Sequence, residues 1–439
     1  MPLTCWIPVG VPMAVVASPK GIFQCRVNSR LDKIQSLPSG SDGKRATTHE
    51  SATFLHTKIP GTPTAPAFTA ACLSLLLAFP QPSAAVLKSP NASIPRTVDA
   101  ALRRSIPAFN ANVESLQDTL EQVQFKLRIP QRKPWAAMSA DVDALIQKAA
   151  DKDKLLDGVL DRDQASAQSL ISGISDELHR LQAAIASKDP DRTSIRAANA
   201  LERVAQLELL QAPGLTYRIP SEYASLPRLT GRAVVELVIQ KAGSSEAAFV
   251  SNNSEDGPQR QGIIRMTVDG YSAPLTAGNF IKNVVNGSYE RNRLAVDQVS
   301  IVIGNTTTTT NTKNDNYGSS RLPLEILPMG DFEPLYRLPL DVRSGELPVL
   351  PLSINGSVAM ARSSDQANSI GYVSNEQFFI HKFDKQQSGL AGLAFDEGEF
   401  GVFGYITEGR ELLSSIEDGD TLVRAKVIEG LDKLQVPNE

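Results

Sequence analysis

Gly356-Ser357-Val358-Ala359-Met360-Ala361, Glu376-Gln377-Phe378-Phe379-Ile380 and Phe400-Gly401-Val402-Phe403-Gly404-Tyr405 are three short runs within one stretch that begins at Asn355. Each is apolar and rich in branched or aromatic residues. Each is bounded by Gly, Ser or Asn, so each reads as a short β segment. Their order and spacing decide the fold, and the rest of the chain is read outward from them.

Upstream, Ala233-Val234-Val235-Glu236-Leu237-Val238-Ile239 is another segment of β composition. The polar residues 243–257 form a surface loop, and Ile263 to Val268 is the hairpin partner. Ala273-Pro274-Leu275-Thr276-Ala277-Gly278-Asn279-Phe280 opens a helix with Phe280, Ile281, Val284 and Val285 on one face, closed at Asn286-Gly287. Taken together, residues 231–435 resemble a cyclophilin, a peptidyl-prolyl cis-trans isomerase built on a closed antiparallel β-barrel. That family reads G-x-V-x-M-A, S-Q-F-F-I and V-F-G-x-V in this order, after a strand and an A-P-x-T-A-x-N-F helix.

Residues 111–212 follow a different period. Val113, Leu116, Leu120, Val123 and Leu127 repeat at three and four, the stripe of an amphipathic helix. Similar stripes run from Ser139, as N-cap, to Leu160, through Leu170 to Ile185, and through Ile195 to Leu207. Four helices with short connections predict an antiparallel bundle. Residues 86–110, with several prolines, read as an extended linker, and residues 213–230 as a proline-bearing strap between the domains.

The first 85 residues differ in composition. They hold seven Lys or Arg and three acids, so the rest carries 37 basic and 45 acidic residues, a net charge of −8. A mildly acidic chain gives no electrostatic case for nucleic acid. Residues 1–58 have the basic, Ser/Thr-rich composition of an organelle transit peptide. The apolar run Ala67 to Phe79 and Ser83-Ala84-Ala85 follow, as in a signal peptide cleaved after Ala85. Two addresses in tandem predict import into a chloroplast and transfer to the thylakoid lumen. The mature chain then has no cysteine, since Cys5, Cys25 and Cys72 all precede the cut, and no transmembrane segment. Bipartite presequence, helical bundle, strap and barrel together resemble the large thylakoid-lumen cyclophilins of plants. The resemblance implies proline-containing protein or peptide clients, photosystem assembly factors among them.

Isomerising an X-Pro bond must overcome a barrier of roughly 18–20 kcal/mol without making or breaking a bond. An apolar seat for the proline ring and a hydrogen-bond donor that engages the twisted amide lower it. In the family the donor is an arginine. Counted from Tyr289, its position falls on Val296; counted back from Gly304-Asn305, it falls near Leu294. Neither side chain is a donor. Arg293 substitutes only through a local shift of the chain, and Arg362 is a second arginine to weigh. The resemblance places the peptide groove at Val299, Val302, Met360, Ala361, Arg362, Gln377, Phe379, Phe395 and Phe400. The family's glutamine, asparagine and histidine are replaced by Val302, Arg362 and Phe400. Phe378 and Phe403 read as core and Phe379 as groove floor. No metal-spaced His/Cys set, phosphate loop or cofactor motif is present in the sequence. The expectation is an isomerase-family member with reduced or absent turnover. The alternatives are a true isomerase with an unrecognised donor, and a peptide-binding scaffold whose bundle docks on the barrel.

Overall fold

A computed structural model describes residues 94–437, apart from 244–247, 250–256, 258, 305–320, 363–370 and 390–391; nearer the N-terminus it describes only two paired two-residue strands, Thr4–Cys5 and Met13–Ala14. Apart from those two strands, the expected presequence with its cut at Ala85 lies outside the described residues, as does most of the polar loop before Gly257.

The helical half begins with α1 (Val98–Arg104), inside the stretch read as an extended linker. Thr97 caps it by accepting a hydrogen bond from Ala100 N. The bundle consists of α2 (Ala111–Leu127), α3 (Trp135–Ala149), α5 (Gln164–Ala186) and α6 (Pro190–Gln211), with the short α4 (Lys152–Leu156) between α3 and α5. Asn110 accepts from Asn112 N and Val113 N at the start of α2. Asp189 and Pro190 start α6, with Asp189 accepting from Arg192 N. The apolar stripes meet in one core that includes Leu116, Leu120, Val142, Ile174, Leu178, Leu201 and Val204.

The second helical stripe is two helices, not one. Asp151 accepts from Lys154 N and so caps a new helix where the periodicity runs on. Ser139 is not the N-cap. The first turn begins four residues earlier, at Trp135 directly after Pro134.

The barrel is a ten-stranded antiparallel sheet. In chain order its strands are β2 (Arg232–Gln240), β3 (Gln261–Asp269), β4 (Asn292–Arg293), β5 (Ala295–Val296), β6 (Ser300–Ile303), β7 (Arg321–Pro323), β10 (Ser357–Arg362), β11 (Tyr372–His381), β12 (Val402–Glu408) and β13 (Thr421–Glu429). Four shorter strands complete the set: β1 (Arg228–Leu229) pairs with β14 (Leu434–Gln435), and β8 (Glu325–Ile326) with β9 (Leu335–Tyr336). The strand order is β4-β13-β2-β3-β12-β10-β11-β6-β5, with β7 beside β11. The two ends of this path, β4 and β5, are joined by the single residue Leu294. A chain that leaves one edge and enters the other one residue later closes the sheet. Leu294 is buried in the barrel core at that point.

Alternation gives the barrel wall two apolar faces. Val358, Met360, Phe378, Ile380, Ile301, Ile303 and Phe403 point inward. They surround Phe280 of α7 (Pro274–Val285), which plugs the barrel. The Phe280 ring lies 5.1 Å from Phe378, 5.0 Å from Phe403 and 5.4 Å from Tyr289. The carboxylate of Glu325 accepts from Leu275 N (3.1 Å) and Thr276 N (3.0 Å) at the start of α7. Burial pushes this carboxyl up to about 7.

Phe378 and Phe395 test the two environments. Phe378→Ala empties a fully buried site and is expected to cost about 3–5 kcal/mol in urea unfolding. Phe395, 81% exposed, is expected to cost less than about 0.5 kcal/mol on the same replacement. Equal losses would contradict the assignment of Phe378 to the interior.

Candidate peptide groove and its helical cover

The outer face of the wall is a row in register. Ala295 pairs with Val302, Val302 with Phe379, Phe379 with Ala359, and Ala359 with Val402. Phe379 sits mid-row, and the Phe400 ring meets it edge-on at 5.1 Å. The guanidinium of Arg362 lies 5.0 Å from the Phe400 ring and pairs with Glu399. Arg362, Phe400 and Phe379 therefore form one continuous arginine–aromatic ladder at the lip of the face.

Loops build the floor beside it. Glu397 is buried and accepts from Leu352 N and Ser353 N, both 2.8 Å, and from the Ser353 hydroxyl. Burial pushes its carboxyl up, and these bonds oppose the shift. Tyr405 Oη donates to Pro351 O at 2.9 Å. Leu350, Leu352 and Ile354 are thereby held against Ala359, Phe379 and Val402.

α1 lies on this same face. Val98, Ala101 and Leu102 belong to one apolar cluster with Phe379, Ala359, Val402 and Tyr405, against which Val302, Ala361 and Phe400 also pack. Polar bonds fasten the helix at both ends. At its start, Arg96 Nη1 donates to Gly392 O at 2.6 Å. At its end, Ser105 Oγ donates to Asp269 Oδ2 (2.7 Å) and accepts from Arg232 Nη2 (2.8 Å). Arg232 Nη2 also reaches Leu102 O, while its Nε pairs with Asp269 Oδ2 at 2.8 Å. Asp269 is fully buried. The negative, carbonyl end of the helix is thus met by a guanidinium.

Of the groove residues expected from the sequence, Val302, Ala361, Phe379 and Phe400 come together on the outer face. Met360 does not: it pairs with Phe378 and is buried in the barrel interior, on the opposite side of β10 from Ala359 and Ala361. Gln377 shares the parity of Phe379 on β11 and is half-buried. Val299 and Phe395 are 47% and 81% exposed at the rim.

The donor position resolves in the same way. Leu294 and Val296 both pack on the interior cluster, so the residue of this segment that faces the outer row is Ala295. None of the three side chains can donate a hydrogen bond. Arg293 is exposed on β4, which pairs with β13 at Thr421 rather than with the groove strands. His381, on β11, is held below its ordinary pKa by burial.

Two family models match this architecture: "Peptidyl-prolyl cis-trans isomerase CYP38-like, PsbQ-like domain" over residues 97–210 and "Cyclophilin type peptidyl-prolyl cis-trans isomerase/CLD" over 254–433. Peptidyl-prolyl cis-trans isomerase CYP37, chloroplastic, of Arabidopsis thaliana is 43% identical over 82% of this chain and 75% of its own length. The chain belongs to the cyclophilin-type peptidyl-prolyl isomerase family. The putative thylakoid lumen peptidyl-prolyl cis-trans isomerase sll0408 of Synechocystis is 32% identical over 76% of this cyclophilin and 83% of its own length. The location carried in these relatives' names is also that of this chain, the chloroplast thylakoid lumen. Among the described residues no helix is long and apolar enough to cross a membrane, and no group of acids, histidines or cysteines would hold a metal.

The sequence reading missed the cover. The signal was present as Val98-x-x-Ala101-Leu102, one helical turn of apolar spacing behind a Thr cap, but Pro95 and Pro107 on either side favour extended chain. The fastening is testable. Arg232→Leu leaves Asp269 buried without its cation and is expected to cost about 3–5 kcal/mol in denaturant unfolding. A loss below about 1 kcal/mol would show that Asp269 is served by other partners.

Proposed function

We propose that this cyclophilin binds proline-containing segments of thylakoid proteins during folding or assembly, with weak or absent isomerase turnover. The observation that carries the reading is Ala295. It occupies the groove-facing slot of the one short strand where the family's arginine is expected, and its neighbours Leu294 and Val296 point into the barrel. The apolar part of the groove remains, in Phe379, Ala361 and Phe400. Seating a proline ring requires only that part, whereas stabilising the twisted amide requires a donor.

A second reading has specific support: α1 covers the same face, so the chain acts as a scaffold whose groove is occupied by its own helix. Val98, Ala101 and Leu102 sit in the apolar cluster that a client proline would enter. An intramolecular occupant has a high effective concentration and excludes weak external ligands.

A protease-coupled cis–trans assay on the chain from Ser83 to Glu439, a compact unit by itself, decides between turnover and its loss. Loss of a well-placed donor lowers rates by about 10²–10³ in acyl-transfer enzymes, and acceleration at least roughly a hundredfold below that of a cyclophilin with its arginine is expected here. Ala295→Arg is expected to raise the rate, and Arg293→Ala to leave it unchanged. Full cyclophilin activity that disappears in Arg293→Ala would overturn the reading.

A further inference from the structure

The seam between the bundle and the α1–barrel body differs in kind from the seam between α1 and the barrel. On the barrel side α1 is sealed by Val98, Ala101 and Leu102. On the bundle side it borders open polar space. A cavity of about 440 Å³ is lined by Arg103, Ile106, Glu114, Gln117, Glu208 and Val349, so it draws on α1, α2, α6 and a barrel loop at once. Two further cavities also have Arg103 in their walls.

Three of the lining side chains are more than nine-tenths buried and carry an unpartnered polar atom: Arg103 Nε, Gln117 Oε1 and Glu208 Oε2. Glu208 faces Arg103 of α1, Glu114 and Glu121 of α2 and Arg232 of β2. Two cations and two carboxylates balance around it, and Glu121 is already engaged by Arg104 at 2.7 Å. Arg103 approaches Glu121 only to 3.8 Å. The charge of Glu208 therefore has no direct counter-ion in the closed seam, and ionising a buried carboxylate without one is costly.

We propose that Glu208 is a proton-operated latch: protonated, it lets the bundle close against α1 and the barrel, and ionised, it opens that seam while α1 stays on the barrel. The inference concerns how the bundle is held and stands whether or not the groove turns over substrate. Burial pushes the Glu208 carboxyl up to about 8 in the closed state, with Arg103 opposing the shift, against an ordinary value of 4.5. A carboxyl whose value is raised by closure takes up a proton on closing. Its contribution is fully present below pH 4.5 and is lost as pH rises through about 8. Acidification tightens the seam, and the working window is the interval between those two values. The other charges facing it are Arg103, Arg232, Glu114 and Glu121, and Arg104 and Asp118 share the cavity wall.

The chain from Ser83 has no cysteine, so single thiols report opening cleanly. Ile106→Cys lies in the wall of the cavity, and Lys152→Cys is exposed on α4 as a reference for the thiol's own ionisation. The ratio of their modification rates by a disulfide reagent is measured at pH 6 and pH 8.5. The latch predicts that the ratio rises at least about tenfold at pH 8.5, and that Glu208→Gln abolishes the rise. A flat ratio with Glu208 intact, or the same rise in Glu208→Gln, overturns it. Should Glu208→Gln fail to fold, carbon-13 titration of Glu208 in the unsubstituted chain decides: a midpoint near 8 supports the latch, and one near 4.5 overturns it.

Discussion

Side-chain alternation on β11 is the constraint from which the rest follows. Phe378 must point inward to meet Phe280, and so Phe379, one residue on, must point outward. The same parity on β10, β6 and β12 sends Ala359, Val302 and Val402 outward with it. A barrel packed on α7 inside is thereby left with a second apolar face outside. A free apolar face of this kind binds something or is covered. In this chain the cover is α1, seven residues held by Arg232, Asp269 and Ser105 at one end and by Arg96 at the other.

This arrangement changes where the modules divide. By sequence α1 precedes the bundle, and the family model that begins at residue 97 includes it there. By packing it is part of the barrel. The seam that separates easily is the polar one behind it, where Arg103, Gln117 and Glu208 meet around open space. A tight apolar contact and a loose polar contact on opposite sides of one short helix allow the bundle to move without uncovering the groove.

Much of this was legible beforehand. Periodicities of 3.6 and 2 separated the bundle from the barrel, and the Gln377-Phe378-Phe379 run placed one phenylalanine on each face. Met360 was misread because its neighbours Ala359 and Ala361 belong to the groove, and a motif names residues without stating their parity. Counting from Tyr289 or back from Gly304-Asn305 put the donor position at Val296 or Leu294 and so located the strand, but only pairing with β6 shows that Ala295 between them faces out. The helix break at Asp151 was hidden because apolar spacing continued through it, and a side-chain cap outcompeted propagation. The cover itself was obscured by flanking prolines, since a seven-residue helix has little intrinsic stability and exists through tertiary packing.

The account stands on α1 occupying the outer face that carries Phe379. The direct measurement is a methyl NMR titration of the chain from Ser83 with a proline-containing peptide, observing Val302, Ala359, Ala361 and Val402. With α1 in place the account predicts that these methyls shift only at peptide concentrations well above those that perturb them in a Val98→Asp variant, in which the cover is weakened. Equal, saturable shifts in both proteins would mean that the face is open to clients and that α1 does not cover it.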